Sequence, residues 1–262
     1  MVANITKWCL NIALPLAVSS FVALAVTASA QTKPSTPTIE IITSRMAQAN
    51  AGNQAGFRPY LVTRDYKMFG KDRAEAKSDV TVNLSFAPPN SKTYVIQHAV
   101  GSGLGEIIVR RMLEREVAIE KDASSIDISE SNYEFHFVRE EELDGQRCYV
   151  LEMVPKRKDK NLLRGNIWVD ANTYLPRRVE GDFARPPSWW VKNVYIVLLF
   201  GDAGGMWLQT ALEATGNVRI LGPATVVSQD LNYEIGEAVA DKSSAQHNTV
   251  FSGPIGVMDV HK

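Results

Sequence analysis

Cysteine is almost absent from this chain. Of its 262 residues two are cysteines, and Cys9 lies just before an apolar run, inside an N-terminal segment expected to be cleaved, which leaves Cys148 with no internal partner. A disulfide framework is therefore excluded, and a chain of this length can bury a sizeable core without one. Histidine is sparse too. The four present show neither H-x-x-x-H nor H-E-x-x-H spacing, so neither a metal nor another cofactor is expected. An excess of charge of one sign is also lacking. The formal net charge is −1, which excludes the broad basic field of a nucleic-acid binder. There is no G-x-S-x-G elbow and no P-loop. No catalytic residue is assigned, and the chain is expected not to be an enzyme.

Long apolar runs are confined to residues 1–30. Lys7 is the one charge before the run from Leu10 to Val26, and Ala28-Ser29-Ala30 then supplies small residues at a cleavage position. This reads as a secretory signal removed before Gln31, which implies export to the periplasm. Residues 31–37, QTKPSTP, read as a tether. Residues 38–236 read as one domain, and residues 237–262 as an irregular tail.

Within that domain, Thr38 to Ala51 has helical spacing, with Ile39, Ile42, Met46 and Ala49 on one stripe. The pattern then turns to period two. Tyr60, Val62, Tyr66 and Met68 share a side, as do Val80, Val82, Leu84 and Phe86. Tyr94, Ile96 and Val100 follow on a third strand. A second helix is expected from about Leu104 to Lys121, where Glu106/Arg110 and Arg110/Glu114 stand four apart. Strands follow around Phe135 and Phe137; Tyr149, Leu151 and Met153; Leu162–Val169; Tyr174–Gly181; Val191–Phe200; Met206–Glu213; Val218–Leu221; and Thr225–Ile235. Short turns make neighbours antiparallel. The expected fold is mainly β with a few helices: a single curled antiparallel sheet of about eleven strands, a half-barrel covered by helices.

Two helices are sparse cover for such a sheet, so an apolar hollow is expected inside the curl. Candidate lining residues are Val80, Val82, Leu84, Phe86, Tyr94, Ile96, Phe135, Phe137, Tyr149, Leu151, Met153, Ile167, Ile196 and Leu198. VKNVYIVLLF does not alternate from Val194 to Phe200. One of its faces should line the hollow, and the other should pack under RPPSWW (residues 185–190) or the tail.

Other motifs read as structure. Gly101-Ser-Gly-Leu-Gly105 is G-x-G-x-G rather than a dinucleotide fingerprint, and the strand after its helix begins a meander, so a tight turn is expected. Glu140-Glu141-Glu142 before the Asp144-Gly145 turn reads as a solvated hairpin tip. His136 falls on the outer face. Cys148 points the same way as Val150, as a buried or half-buried thiol.

Two segments carry a family resemblance. Gly165-Asn-Ile-Trp-Val-Asp-Ala-Asn-Thr-Tyr-Leu-Pro-Arg-Arg-Val-Glu-Gly181 resembles the strand, Asp-x-x-Thr/Ser turn and xLPxR return strand of outer-membrane lipoprotein-sorting proteins of the LolA/LolB type. Leu143-Asp-Gly-Gln-Arg-Cys-Tyr-Val-Leu151 with Pro155 resembles the segment that precedes it. The resemblance spans about Thr38 to Gly236. It implies an eleven-stranded half-barrel, lidded by helices, that holds acyl chains in the periplasm. Better-known members fasten the lid with a cavity arginine or deliver cargo with a protruding loop. The sequence assigns neither feature to a numbered residue here. The function expected is a periplasmic carrier moving acyl chains of a lipid or lipoprotein toward the outer membrane, acting as a monomer, with an inner- or outer-membrane protein as a further partner. The alternative is a lipid- or peptide-sensing regulator on the same fold.

Overall fold

The computed structural model describes residues 36–186, 191–219 and 222–236. The expected signal, most of the tether, the tail and residues 187–190 of RPPSWW lie outside them.

The elements run α1 (Ile39–Ala55), β1 (Tyr60–Phe69), β2 (Ala76–Ala87), β3 (Ser91–Gly101), α2 (Gly103–Glu120), β4 (Tyr133–Leu143), β5 (Gln146–Pro155), β6 (Leu163–Asp170), β7 (Pro176–Phe183), β8 (Val191–Ala203), β9 (Met206–Val218) and β10 (Gly222–Ile235). A short 3₁₀ turn, Ala123–Ser125, follows α2. The strands form one sheet of ten in the order β3-β2-β1-β10-β9-β8-β7-β6-β5-β4, and every pairing is antiparallel. The sheet is curled and does not close into a barrel, so β3 and β4 are its free edges.

Ten strands replace the expected eleven. The sequence suggests a break after Glu213, but β9 continues through Gly216 to Val218, which pairs with Gly222 of β10. Gly216 is there for space, not for turning. A β-carbon on it would lie 3.2 Å from Val194 Cγ2 on the neighbouring strand. β7 likewise starts at Pro176, not Tyr174. Tyr174 has φ +59° and sits in a turn built around Asp170. The Asp170 carboxylate accepts N–H bonds from Asn172 and Thr173 (both 2.9 Å) and from Arg177 Nε at 2.6 Å. Burial pushes the Asp170 carboxyl up, but these donors outweigh it and hold it below the usual range.

Both helices lie on the inner face. α1 buries Ile42 and Met46 against Tyr149, Leu151, Met153, Ile167, Val179 and Ile196. α2 buries Val109 and Leu113 against Val62, Tyr66, Val80, Val82 and Leu84. The interior is therefore two packed clusters side by side, one under each helix.

Candidate functional site

The inner face of the sheet gathers most of the expected lining residues, in two groups. Val80, Val82, Leu84 and Phe86 are buried in the cluster under α2, with Tyr94 and Ile96 packed against them. Tyr149, Leu151, Met153, Ile167 and Ile196 are buried in the cluster under α1, with Phe135 and Leu198 packed against them. Phe137 is the exception, at 40% exposed. It pairs with Leu151 and so has the expected parity, but β4 is the edge strand, and among the described residues no further strand lies beyond it.

Among the described residues the expected open hollow is filled. Val82, Leu151, Met153 and Ile167 are all 0% exposed. Side chains lining an empty, solvent-filled curl would be accessible; these are packed against the helices. Two clefts flank α1. One of about 220 Å³ is lined by Thr43, Met46, Ile128, Glu130 and Phe135 among others. The other, of about 200 Å³, is lined by Asn53, Phe57, Phe200 and Trp207 among others. Both fall short of the roughly 300–1,000 Å³ typical of ligand sites. The helices fill the space that the sequence leaves to a ligand.

How each helix is held differs. α1 is tied by hydrogen bonds to side chains and backbone of the surrounding elements. Asn53 Nδ2 donates to Trp207 O and Trp207 N–H donates to Asn53 Oδ1, both at 2.8 Å. Thr43 Oγ1 donates to Glu130 at 2.6 Å, and Arg45 donates to the Tyr174 hydroxyl at 3.1 Å. α2 packs over β2 and β3. Its N-terminal turn sits on the sheet because Gly105 has no side chain: a β-carbon there would lie 2.2 Å from Ser78 Cβ and Oγ. Its C-terminal half is held by charge.

That charge cluster is the least expected feature of the interior. Arg64 lies on β1 between Val62 and Tyr66, on the apolar inner row, and is 7% exposed. Asp230 faces it directly across the β1–β10 pairing. Arg64 Nε donates to Asp230 Oδ1 at 2.5 Å, and Nη2 donates to Oδ2 at 3.3 Å. Tyr233 donates its hydroxyl proton to the same carboxylate. With Arg64 so fixed, its Nη1 reaches Glu116 Oε2 of α2 at 3.0 Å. Lys92 of β3 holds the other oxygen of Glu116 at 3.2 Å and Glu120 at 2.6 Å. Burial alone would push the Glu116 carboxyl up, but Arg64 and Lys92 outweigh it and hold it below its ordinary value. Burial opposes the charge on Lys92, and Glu116, Tyr60 and Glu120 more than restore it. The Tyr66 hydroxyl is pushed up to about 12, chiefly by burial. Together these groups can bind and neutralise charge beneath a helix. They offer no nucleophile with an adjacent base.

A family model described as "Uncharacterized protein" matches residues 109–213. No curated protein matches the chain. Among solved structures the chain is similar to a domain from Vibrio parahaemolyticus described as an outer membrane lipoprotein-sorting protein, at 12% identity and TM-score 0.45, over 78% of this chain and 96% of that one. It is also similar to a DUF1329 family protein from Desulfovibrio piger, at 13% identity and TM-score 0.40, over 79% and 96% of the two chains. It is also similar to a LolA superfamily protein from Nitrosomonas europaea, at 11% identity and TM-score 0.35, over 77% of this chain and 95% of that one. At such identities and TM-scores, function has to be read from the chain's own residues.

The remaining candidates resolve as structure. Cys148 is 0% exposed and clusters with Val150 and Trp168. Burial pushes its thiol up, away from reactivity. It pairs with Glu141, whereas His136 pairs with Glu152, so the two do not meet. Glu140 and Glu141 face Arg147 and Arg139 at the hairpin end. Gly101, at φ +95°, turns the chain into α2, and a β-carbon on it would lie 2.2 Å from Lys77 O. Among the described residues no cluster of His, Cys, Asp or Glu is placed to hold a metal, and no helix is long and apolar enough to cross a membrane. Tyr195 and Leu199 of β8 are each 41% exposed on the outer face. The expected cover for that face, RPPSWW and the tail, falls mostly outside the described residues.

Proposed function

We propose that the protein is a non-enzymatic carrier of acyl chains, exported to the periplasm, which takes lipid or lipoprotein onto the inner face of its open sheet for passage toward the outer membrane. One observation carries this reading: the apolar inner face is covered by a helix, α2, that buries little beyond Gly105, Val109 and Leu113 and is fastened by ion pairs over its last turns. Charged pairs can be exchanged for water with little net loss. Apolar cover can be exchanged for another apolar body. A sixteen-carbon chain leaving water contributes on the order of 12 kcal/mol at about 0.8 per CH₂, enough to displace such a helix. Binding then consists of α2 moving aside, not of filling a standing cavity.

The regulatory alternative relies on strand addition at a free edge. Both edges are blunted. β4 carries an extra residue at Val138 and β3 one at Gln97, each breaking the register with its neighbour. Bulges on edge strands discourage a further strand.

Native mass spectrometry of protein purified from the periplasm, with extraction of bound lipid, tests the carrier reading. Co-purifying lipid and saturable uptake of a fluorescent fatty acid are expected. Protein that carries no lipid and takes up no probe sinks it.

A further inference from the structure

The buried face of α2 is ordered like an amphiphile. Val109 and Leu113 press on the sheet, and Glu116 and Glu120 follow on the same side at helical spacing. Seven residues separate Val109 from Glu116, about 10 Å along the axis. The apolar part lies on Val82 and Leu84, and the acidic part lies on Arg64 and Lys92.

Glu116 is held as a bound carboxylate would be. One oxygen takes Arg64 at 3.0 Å and the other takes Lys92 at 3.2 Å. The sheet keeps this grip prepared, since Asp230 and Tyr233 fix the Arg64 guanidinium from behind. The side chain of Asp230 is 1% exposed, so that anion is committed to Arg64. Both ion pairs of Lys92 go to α2. When α2 leaves, the sheet retains two cations and one carboxylate in an apolar setting. A neutral acyl chain entering alone leaves that positive charge uncompensated, which is costly away from water. A ligand with its own anion restores the pairing.

We propose that Arg64 and Lys92 form the headgroup site of the carrier, and that its ligand is an amphiphile with an anionic headgroup, carboxylate or phosphate, whose place Glu116 holds in the closed form. This rests on the carrier reading and narrows it, because acyl chains without a nearby anion are then poor ligands.

The test is displacement of the neutral probe N-phenyl-1-naphthylamine from the full exported protein at pH 8, below micellar concentrations. The competitors are oleic acid, methyl oleate and oleoyl lysophosphatidic acid. The acids should displace at about tenfold lower concentration than the ester. Lys92→Gln also loosens α2, so the ester should displace at the same or lower concentration, but the acid-to-ester gap should fall to about threefold or less. Oleate active with lysophosphatidate inactive assigns a carboxylate; activity of both assigns anions generally. Acid and ester displacing equally in the parent overturns the headgroup site and leaves the carrier standing. A gap that survives Lys92→Gln overturns it too. If neither probe nor lipid binds the parent, the carrier reading itself falls. The parent comparison needs no variant, so a Lys92→Gln protein that fails to fold does not remove the test.

Discussion

Replacing Gly105 by alanine sets two physical effects against each other. By helix propensity alone the change should stabilise α2 by about 1 kcal/mol, since alanine loses less backbone freedom. By packing it should do the reverse. The new β-carbon would lie 2.2 Å from both Ser78 Cβ and Ser78 Oγ. Ser78 cannot swing aside, because its own Cβ is one of the clashing atoms and it is 3% exposed. Restoring ordinary contact requires α2 to retreat by about 1 Å, a kind of overpacking that costs about 1–3 kcal/mol. The retreat also strains the bond from Ser78 Oγ to Ser102 O, 3.0 Å long, which contributes about 1 kcal/mol. A net loss of about 1–3 kcal/mol is expected, or roughly 2–10 °C in Tm for a domain of this size. Urea unfolding measures it directly. Gly52→Ala is the control, because Gly52 lies within α1 with nothing within 4 Å of the added carbon; it should stabilise by about 0.5–1 kcal/mol. Acyl-probe uptake by Gly105→Ala should rise as α2 lifts. An unfolding midpoint that rises in both variants would show that the N-terminal turn of α2 is not seated on β2 as described.

Three further outcomes are expected. Glu116→Gln removes the carboxylate shared by Arg64 and Lys92; it should destabilise by about 2 kcal/mol and raise affinity for the neutral probe up to about thirtyfold, read by titration beside a melt. Asn53→Ala leaves the backbone N–H and C=O of Trp207 without their 2.8 Å partners and should cost about 1–3 kcal/mol by urea unfolding. Asp170 and Glu116 both have folded pKa values below their ordinary ones, so they contribute stability above about pH 5 that is lost as pH falls through the lowered values; Asp170→Asn should lower the midpoint at pH 7 and flatten its fall in acid.

Much of this architecture is legible in residue spacing. The stripe Ile39, Ile42, Met46 and the i,i+4 pair Glu106/Arg110 mark helices close to their observed bounds. The alternation of Val80 through Phe86 places β2 and its buried face. Arg64 was legible in parity, since it falls on the row of Tyr60, Val62, Tyr66 and Met68. A charge in an apolar row is the signal, and a reading that collects hydrophobic residues passes over it. Its partners were not legible. Asp230 is 166 residues away along the chain, and no local pattern announces which carboxylate will face which cation. The hollow failed for a related reason. Counting helices against strands says how much cover exists, but not that α1 and α2 seat deeply enough to leave Leu151 and Val82 dry. Gly216 misled because a glycine that admits a neighbour and a glycine that turns the chain look alike in one sequence.

The order of the strands bears on how the chain reaches this fold. β2 and β3 each pair with the strand before them, as do β5 through β10. All of those contacts form between residues close in sequence. The pairing of β1 with β10 is different, joining Tyr60 to Ile235. Two local meanders can therefore assemble quickly and independently, and their union must wait for the slow closure of a long loop. Arg64 and Asp230 face each other on that seam, so their ion pair belongs to the late stage of folding. Truncating either side chain should leave the refolding rate nearly unchanged and speed unfolding instead.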